Sequence, residues 1–101
     1  MGRIATEPLN LKDADELVVY LMKNHSVYAQ VEDQTYYITD VNDSYWRAQD
    51  TTKLNEKQHY VDCSELVPTL SEFVNLPFIG EKSIVAAFGD IIFFASVKDE
   101  A

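Results

Sequence analysis

The apolar period of this chain changes once near its start, and the change falls at His25. From Leu11 to Lys23, the residues Leu11, Ala14, Leu17, Val18 and Leu21 recur at the spacing of one helix face, which predicts an amphipathic helix. Directly afterwards Val27, Ala29 and Val31 alternate with Tyr28 and Gln30, and Tyr36 and Ile38 alternate with Tyr37 and Thr39. That is the period of strands with one buried face. Glu32, Asp33 and Gln34 separate the two runs as the polar loop of a hairpin. A helix with one apolar stripe followed at once by antiparallel strands must bury both surfaces together, which is the α+β solution.

The remaining segments extend this layout. Asn10 or Asp13 suits the helix start, Asp13, Asp15 and Glu16 suit the positive end of its dipole, and Asn24 with His25 suits its end. Arg3 to Thr6 reads as a short edge strand stopped by Pro8. A turn over Val41 to Ser44 leads to a third strand at Tyr45 to Ala48, Asp50 to Gln58 reads as a loop, and His59 to Asp62 adds a short strand. Ser64 opens a second helix whose Leu66, Leu70, Phe73 and Val74 share a face, and Asn75 to Pro77 stop it. Ser83 to Phe88 and Ile91 to Val97, joined by Gly89 and Asp90, read as a hairpin with a type II′ turn. The expectation is one α+β domain over residues 1–101, with two helices on one face of a mostly antiparallel five- to six-stranded sheet. Its order is helix, three or four strands, helix, β-hairpin.

The last hairpin is apolar on both faces. Ile84, Ala86 and Phe88 oppose Val85 and Ala87, while Ile91, Phe93, Ala95 and Val97 oppose Ile92 and Phe94. Such strands are either central in a sheet covered on both sides, here by helices and by loops or Trp46, or they mark a face covered by a second copy. A homodimer is therefore an expected partner state.

Charge narrows the function. Seventeen acids against eight bases give a net charge of -9 and a pI near 4.4, so the surface repels phosphate backbones and anionic lipid. No nucleic-acid or membrane partner is expected. No apolar run approaches the ~18 residues of a membrane span, and Met1 to Lys12 lacks the pattern of a signal peptide. Cys63 is the single cysteine, with no second thiol for a disulfide or a zinc site, which suits a reducing, cytoplasmic setting.

Candidate chemistry is thin. Asp40, Asn42 and Ser44 have the spacing of the first ligands of a calcium loop, but Tyr45 stands where that loop needs glycine and Thr51 where it needs glutamate. His59 and Cys63 lie about 13 Å apart on an extended strand, beyond hydrogen-bond reach. The glycines are too scattered to cradle a phosphate, and no serine has the glycine-flanked setting of an exposed nucleophile. The expectation is a protein with no catalytic residue, no metal and no cofactor.

What stands out instead is Glu32 to Asp50, where five acids meet one base, Arg47, alongside Tyr36, Tyr37, Tyr45 and Trp46. Alternation sends one of each neighbouring pair of rings away from the helices. Such a mixture predicts a surface formed by Asp40, Asp43, Tyr37, Tyr45, Trp46 and Asp50 that anchors and steers a basic protein partner, in the manner of inhibitor, immunity or anti-defence proteins. The competing view is a second sheet face covered by the loop after Asp50, with a solvated acidic rim. The alternative function is a homodimeric domain with a small-molecule pocket between sheet and helices, lined by Trp46, Phe73 and Tyr60. Because the net charge of -9 opposes compaction, the thermal midpoint should rise between about 20 mM and about 0.5 M NaCl. Circular dichroism melts check this, and a midpoint that fell with salt would contradict it.

Overall fold

A computed structural model describes residues 3–41, 44–79 and 81–97. The elements run β1 (Arg3–Pro8), α1 (Ala14–Asn24), β2 (Ser26–Val31), β3 (Gln34–Val41), β4 (Tyr45–Leu54), β5 (Tyr60–Asp62), α2 (Leu70–Phe73), α3 (Ile84–Ala87), a 3-10 turn (Phe88–Asp90) and β6 (Ile92–Val97). The strands form one antiparallel sheet in the order β1-β6-β2-β3-β4-β5. Over the described residues the chain is thus a single α+β unit with short helices and a six-stranded sheet.

Register decides what each face carries. Val27 pairs with Ile38 and Ile38 with Ala48, so these three fully buried residues form a row across β2, β3 and β4. Leu17 and Leu21 of α1, Leu70 and Phe73 of α2, and Ile84 and Ala87 of α3 join them in one core, with Phe93 of β6. All three helices therefore bury their apolar residues against the same face. Asp13 caps α1 by accepting from the Glu16 amide at 2.9 Å, and His25 closes it in the left-handed region at φ 63, donating its amide to the Leu21 carbonyl at 2.8 Å.

Three sequence expectations are corrected. The segment 83–88 is not a strand: Ser83 accepts from the Ala86 amide at 3.1 Å and starts α3. Ile84 and Ala87 face the core at helical spacing while Val85 is exposed, so the two-sided apolarity belongs to a helix followed by a strand. Gly89 sits in the 3-10 turn without positive φ, so no II′ turn forms, and β6 pairs instead with β1 and β2. The second helix is only Leu70–Phe73 and is capped by Thr69, not Ser64. Residues 63–67 continue along β4 instead: the Cys63 amide donates to the Ala48 carbonyl at 2.9 Å, and Trp46 and Val67 exchange amide bonds. Pro68 favours this by holding the residue before it extended. Last, the expected loop after Asp50 is strand as far as Leu54, and only the tip around Asn55 to His59 turns.

The correction to the second helix has an energetic signature. Phe73 is fully buried, whereas Leu66 is 49% exposed. Phe73→Ala should cost about 3–5 kcal/mol and Leu66→Ala less than about 1 kcal/mol. Urea unfolding of both variants measures the difference, and equal losses would restore Leu66 to the core.

Candidate functional site

The sheet face away from the helices carries a row of aromatic and polar side chains. Phe94 pairs with Tyr28, Tyr28 with Tyr37, Tyr37 with Gln49, and Gln49 with Asp62, so one row crosses β6, β2, β3, β4 and β5. These residues lie between the buried positions of their strands and so point to the opposite side. Tyr28 is buried at 3% exposure among its neighbours: its ring lies 4.9 Å from that of Tyr37, and Tyr37 meets Tyr60 edge-on at 5.9 Å. Tyr28 also hydrogen-bonds Tyr60, and burial, foremost, pushes its phenol well above the usual range. Ile92 is 50% exposed on the same face, opposite Gln30.

Beside the tyrosines lies a recess of about 450 Å³ lined by Tyr37, Arg47, Gln49, His59, Tyr60 and Asp62, among others. Gln49 is nearly buried, and its amide donates to the Tyr60 carbonyl at 3.2 Å and to Asp62 Oδ1 at 2.9 Å. Arg47 reaches Asp62 through Nη1, at 3.3 Å from Oδ1 and 3.4 Å from Oδ2. These are long for a charge-assisted bond. The Arg47 Nε is buried without a hydrogen-bond partner among the described residues.

The six residues expected to form one partner surface divide between the two faces. Tyr37 and Tyr45 lie on the open face, Tyr45 at 46% exposure opposite Val41. Asp40, Trp46 and Asp50 share the register of Ile38 and Ala48 and lie on the helix-covered face. Asp43 falls outside the described residues. Two of the acids are also engaged locally. Asp40 Oδ2 lies 2.8 Å from His25 Nδ1, and the His25 ring stacks on Trp46 with centroids 6.3 Å apart. Asp50 accepts from the Thr52 hydroxyl at 2.6 Å, the Thr52 amide at 2.9 Å and Gln34 at 2.6 Å. The hydrogen bond from the Thr52 hydroxyl is the chief cause that holds its carboxyl below the ordinary value. The stability this contributes is complete above the ordinary carboxylate pKa and is lost as pH falls through the lower folded value. The pocket expected from Trp46, Phe73 and Tyr60 is not assembled either, since Phe73 is core and Tyr60 lies on the opposite face from Trp46.

Arg47, Gln49, Tyr60 and Asp62 carry the recess, and sequence reading did not assemble them. The available signal was alternation from Arg47 to Gln49, but β5 is needed to bring Tyr60 and Asp62 beside them. Among the described residues no group of three His, Cys, Asp or Glu side chains could hold a metal ion, and no helix is long and apolar enough to cross a membrane. The chain matches no family model, and no curated protein or solved structure is significantly similar to it.

Cys63 is exposed at the end of β5, and its thiol donates to the Ala48 carbonyl at 3.4 Å. Desolvation first, then Asp50 and Asp62, push it up to about 11. Alkylation by iodoacetamide at pH 8 should therefore run more than about tenfold slower than for an unperturbed thiol, even allowing for the higher nucleophilicity of a more basic thiolate. The rate should climb towards pH 11, and a midpoint near pH 8.5 would overturn the assignment.

Proposed function

We propose that this chain is a non-enzymatic protein-binding module that engages a basic protein through its uncovered sheet face, as inhibitor and immunity proteins do. The observation that supports this is the face the helices leave uncovered, where the partly exposed Phe94 and Tyr37 flank the buried Tyr28 in one register row and Ile92 and Tyr45 are about half exposed. Large rings held rigid by their neighbours are effective anchors, because little side-chain freedom is lost when a partner covers them. Charge acts at longer range. Arg47 and Asp62 on this face pair and cancel each other's charge, whereas the whole molecule carries -9, which speeds encounter with a cationic partner. The anchoring centre is neutral and the steering field comes from the surroundings. The lone Cys63 suits the reducing conditions of the cytoplasm.

A second reading has the same face covered by another copy of this chain. The half-exposed Ile92 and the partly exposed Phe94 favour it, since an apolar strip beside a neutral pair is where two anionic molecules can meet. The two readings respond to salt in opposite directions: screening weakens attraction to a basic partner but relieves repulsion between two copies.

Affinity capture from the native cell at about 50 mM and about 300 mM salt, with sedimentation velocity on the free protein, separates them. A basic protein held at low salt, released at high salt and lost to the exposed-site variant Ile92→Arg is the expected result. A monomer that retains no protein at either salt would refute the docking function, and a dimer strengthening with salt would establish the second reading.

A further inference from the structure

We propose that the recess bounded by Tyr37, Tyr60 and the Arg47–Asp62 pair is a binding site for a free aromatic α-amino acid. The ligand carboxylate sits on Arg47 and its ammonium on Asp62. The site goes beyond the docking surface, because it needs no protein partner and occupies one end of the open face, against β5.

The charges in the recess select the ligand class. A simple anion that approached Arg47 would meet the Asp62 carboxylate 3.3 Å from the same guanidinium, within a molecule of net charge -9. A simple cation that approached Asp62 would meet Arg47. A ligand with opposite charges on one carbon replaces the existing pair without leaving either member unmatched, and the net charge of the recess stays at zero. The exchange is feasible because the present pair is loose. Both Arg47 contacts run through Nη1 at 3.3 and 3.4 Å, beyond the ~2.7–2.9 Å of a strong charge-assisted bond. The Nε has no acceptor at all among the described residues, and a buried donor without a partner is a standing cost that a carboxylate could relieve once the guanidinium turns towards it.

Asp62 is held in place for its role. Gln49 donates to its Oδ1 at 2.9 Å, while Asp62 remains partly exposed and has lone pairs free for an ammonium. The aromatic preference comes from the walls, where Tyr37 and Tyr60 meet edge-on at 5.9 Å and offer ring faces and edges to a third ring. The volume of about 450 Å³ lies within the ~300–1,000 Å³ of small-molecule sites.

The test is an NMR titration of the isotope-labelled full chain with L-phenylalanine, N-acetyl-L-phenylalanine and L-phenylalaninamide. Saturable amide shifts concentrated at residues 47–49 and 59–62 are expected with L-phenylalanine, with at least about tenfold weaker binding of the two derivatives, each of which lacks one charge. Asp62→Asn keeps the Gln49 bond and should lower affinity for L-phenylalanine by a similar factor, as should Arg47→Met. Arg47→Lys, which keeps the charge, checks that any loss is not unfolding and should bind more tightly than Arg47→Met. Equal binding of all three compounds, unchanged affinity in Asp62→Asn, or no saturable shift would each overturn the site. Neither result bears on capture of a protein partner, so the two proposals fail independently.

Discussion

The pairing of Val27 with Ile38 and of Ile38 with Ala48 is the constraint on which the rest of the molecule depends. These residues are small or branched, fully buried and aligned, so they make a smooth surface on which Leu17, Leu21, Phe73 and Ile84 pack. A slip of one residue would turn this row to the open side and bring Tyr28, Tyr37 and Gln49 under the helices. That arrangement would bury two phenols and an amide against aliphatic side chains with no partners for them. The core therefore selects the register, and the register places every group on the open face.

Packing of the helices on one face also explains where the polar groups went. Asp40 and Asp50 occur at alternating positions that belong to the covered face, and each lies near an edge of the core where local donors meet it: His25 for Asp40, and Thr52 and Gln34 for Asp50. His25 links three features, since it ends α1 in a left-handed conformation, meets Asp40 and stacks on Trp46. Asp40 and Asp50, which look like parts of one cluster in the sequence, are thus engaged with separate local partners. Their common sign still contributes to the long-range field, which depends on total charge more than on which face carries each group.

On the open face the roles are reversed. The tyrosines satisfy one another through ring contacts and the Tyr28–Tyr60 bond, and the Arg47–Asp62 pair cancels its own charge. The result is a rigid, nearly neutral, aromatic surface on a strongly anionic protein. Rigidity limits the entropy lost on binding, and neutrality limits the desolvation cost, so this is the region where contact costs least. The same combination produces the recess at β5, because the strand that ends the sheet leaves the side chains of Tyr60 and Asp62 with a neighbour on one side only.

Local periodicity specifies the α1 helix with its Asp13 cap, the β2–β3 hairpin and the α+β class, because each follows from a pattern that no tertiary contact overrides. It also specifies that Tyr36 and Tyr37, and Tyr45 and Trp46, point to opposite sides. Long-range packing and strand pairing set the state of Ile84 to Ala87 and of residues 63–67. A short run of Ile, Val and Ala fits a strand or a helix equally well, and Leu66 has a helical period that pairing with β4 cancels. The recess was likewise hidden, since its residues come from strands whose neighbours are set by backbone pairing over long separations. Local propensity fixes which way a side chain points along its own strand, but it carries no information on which strand lies beside it.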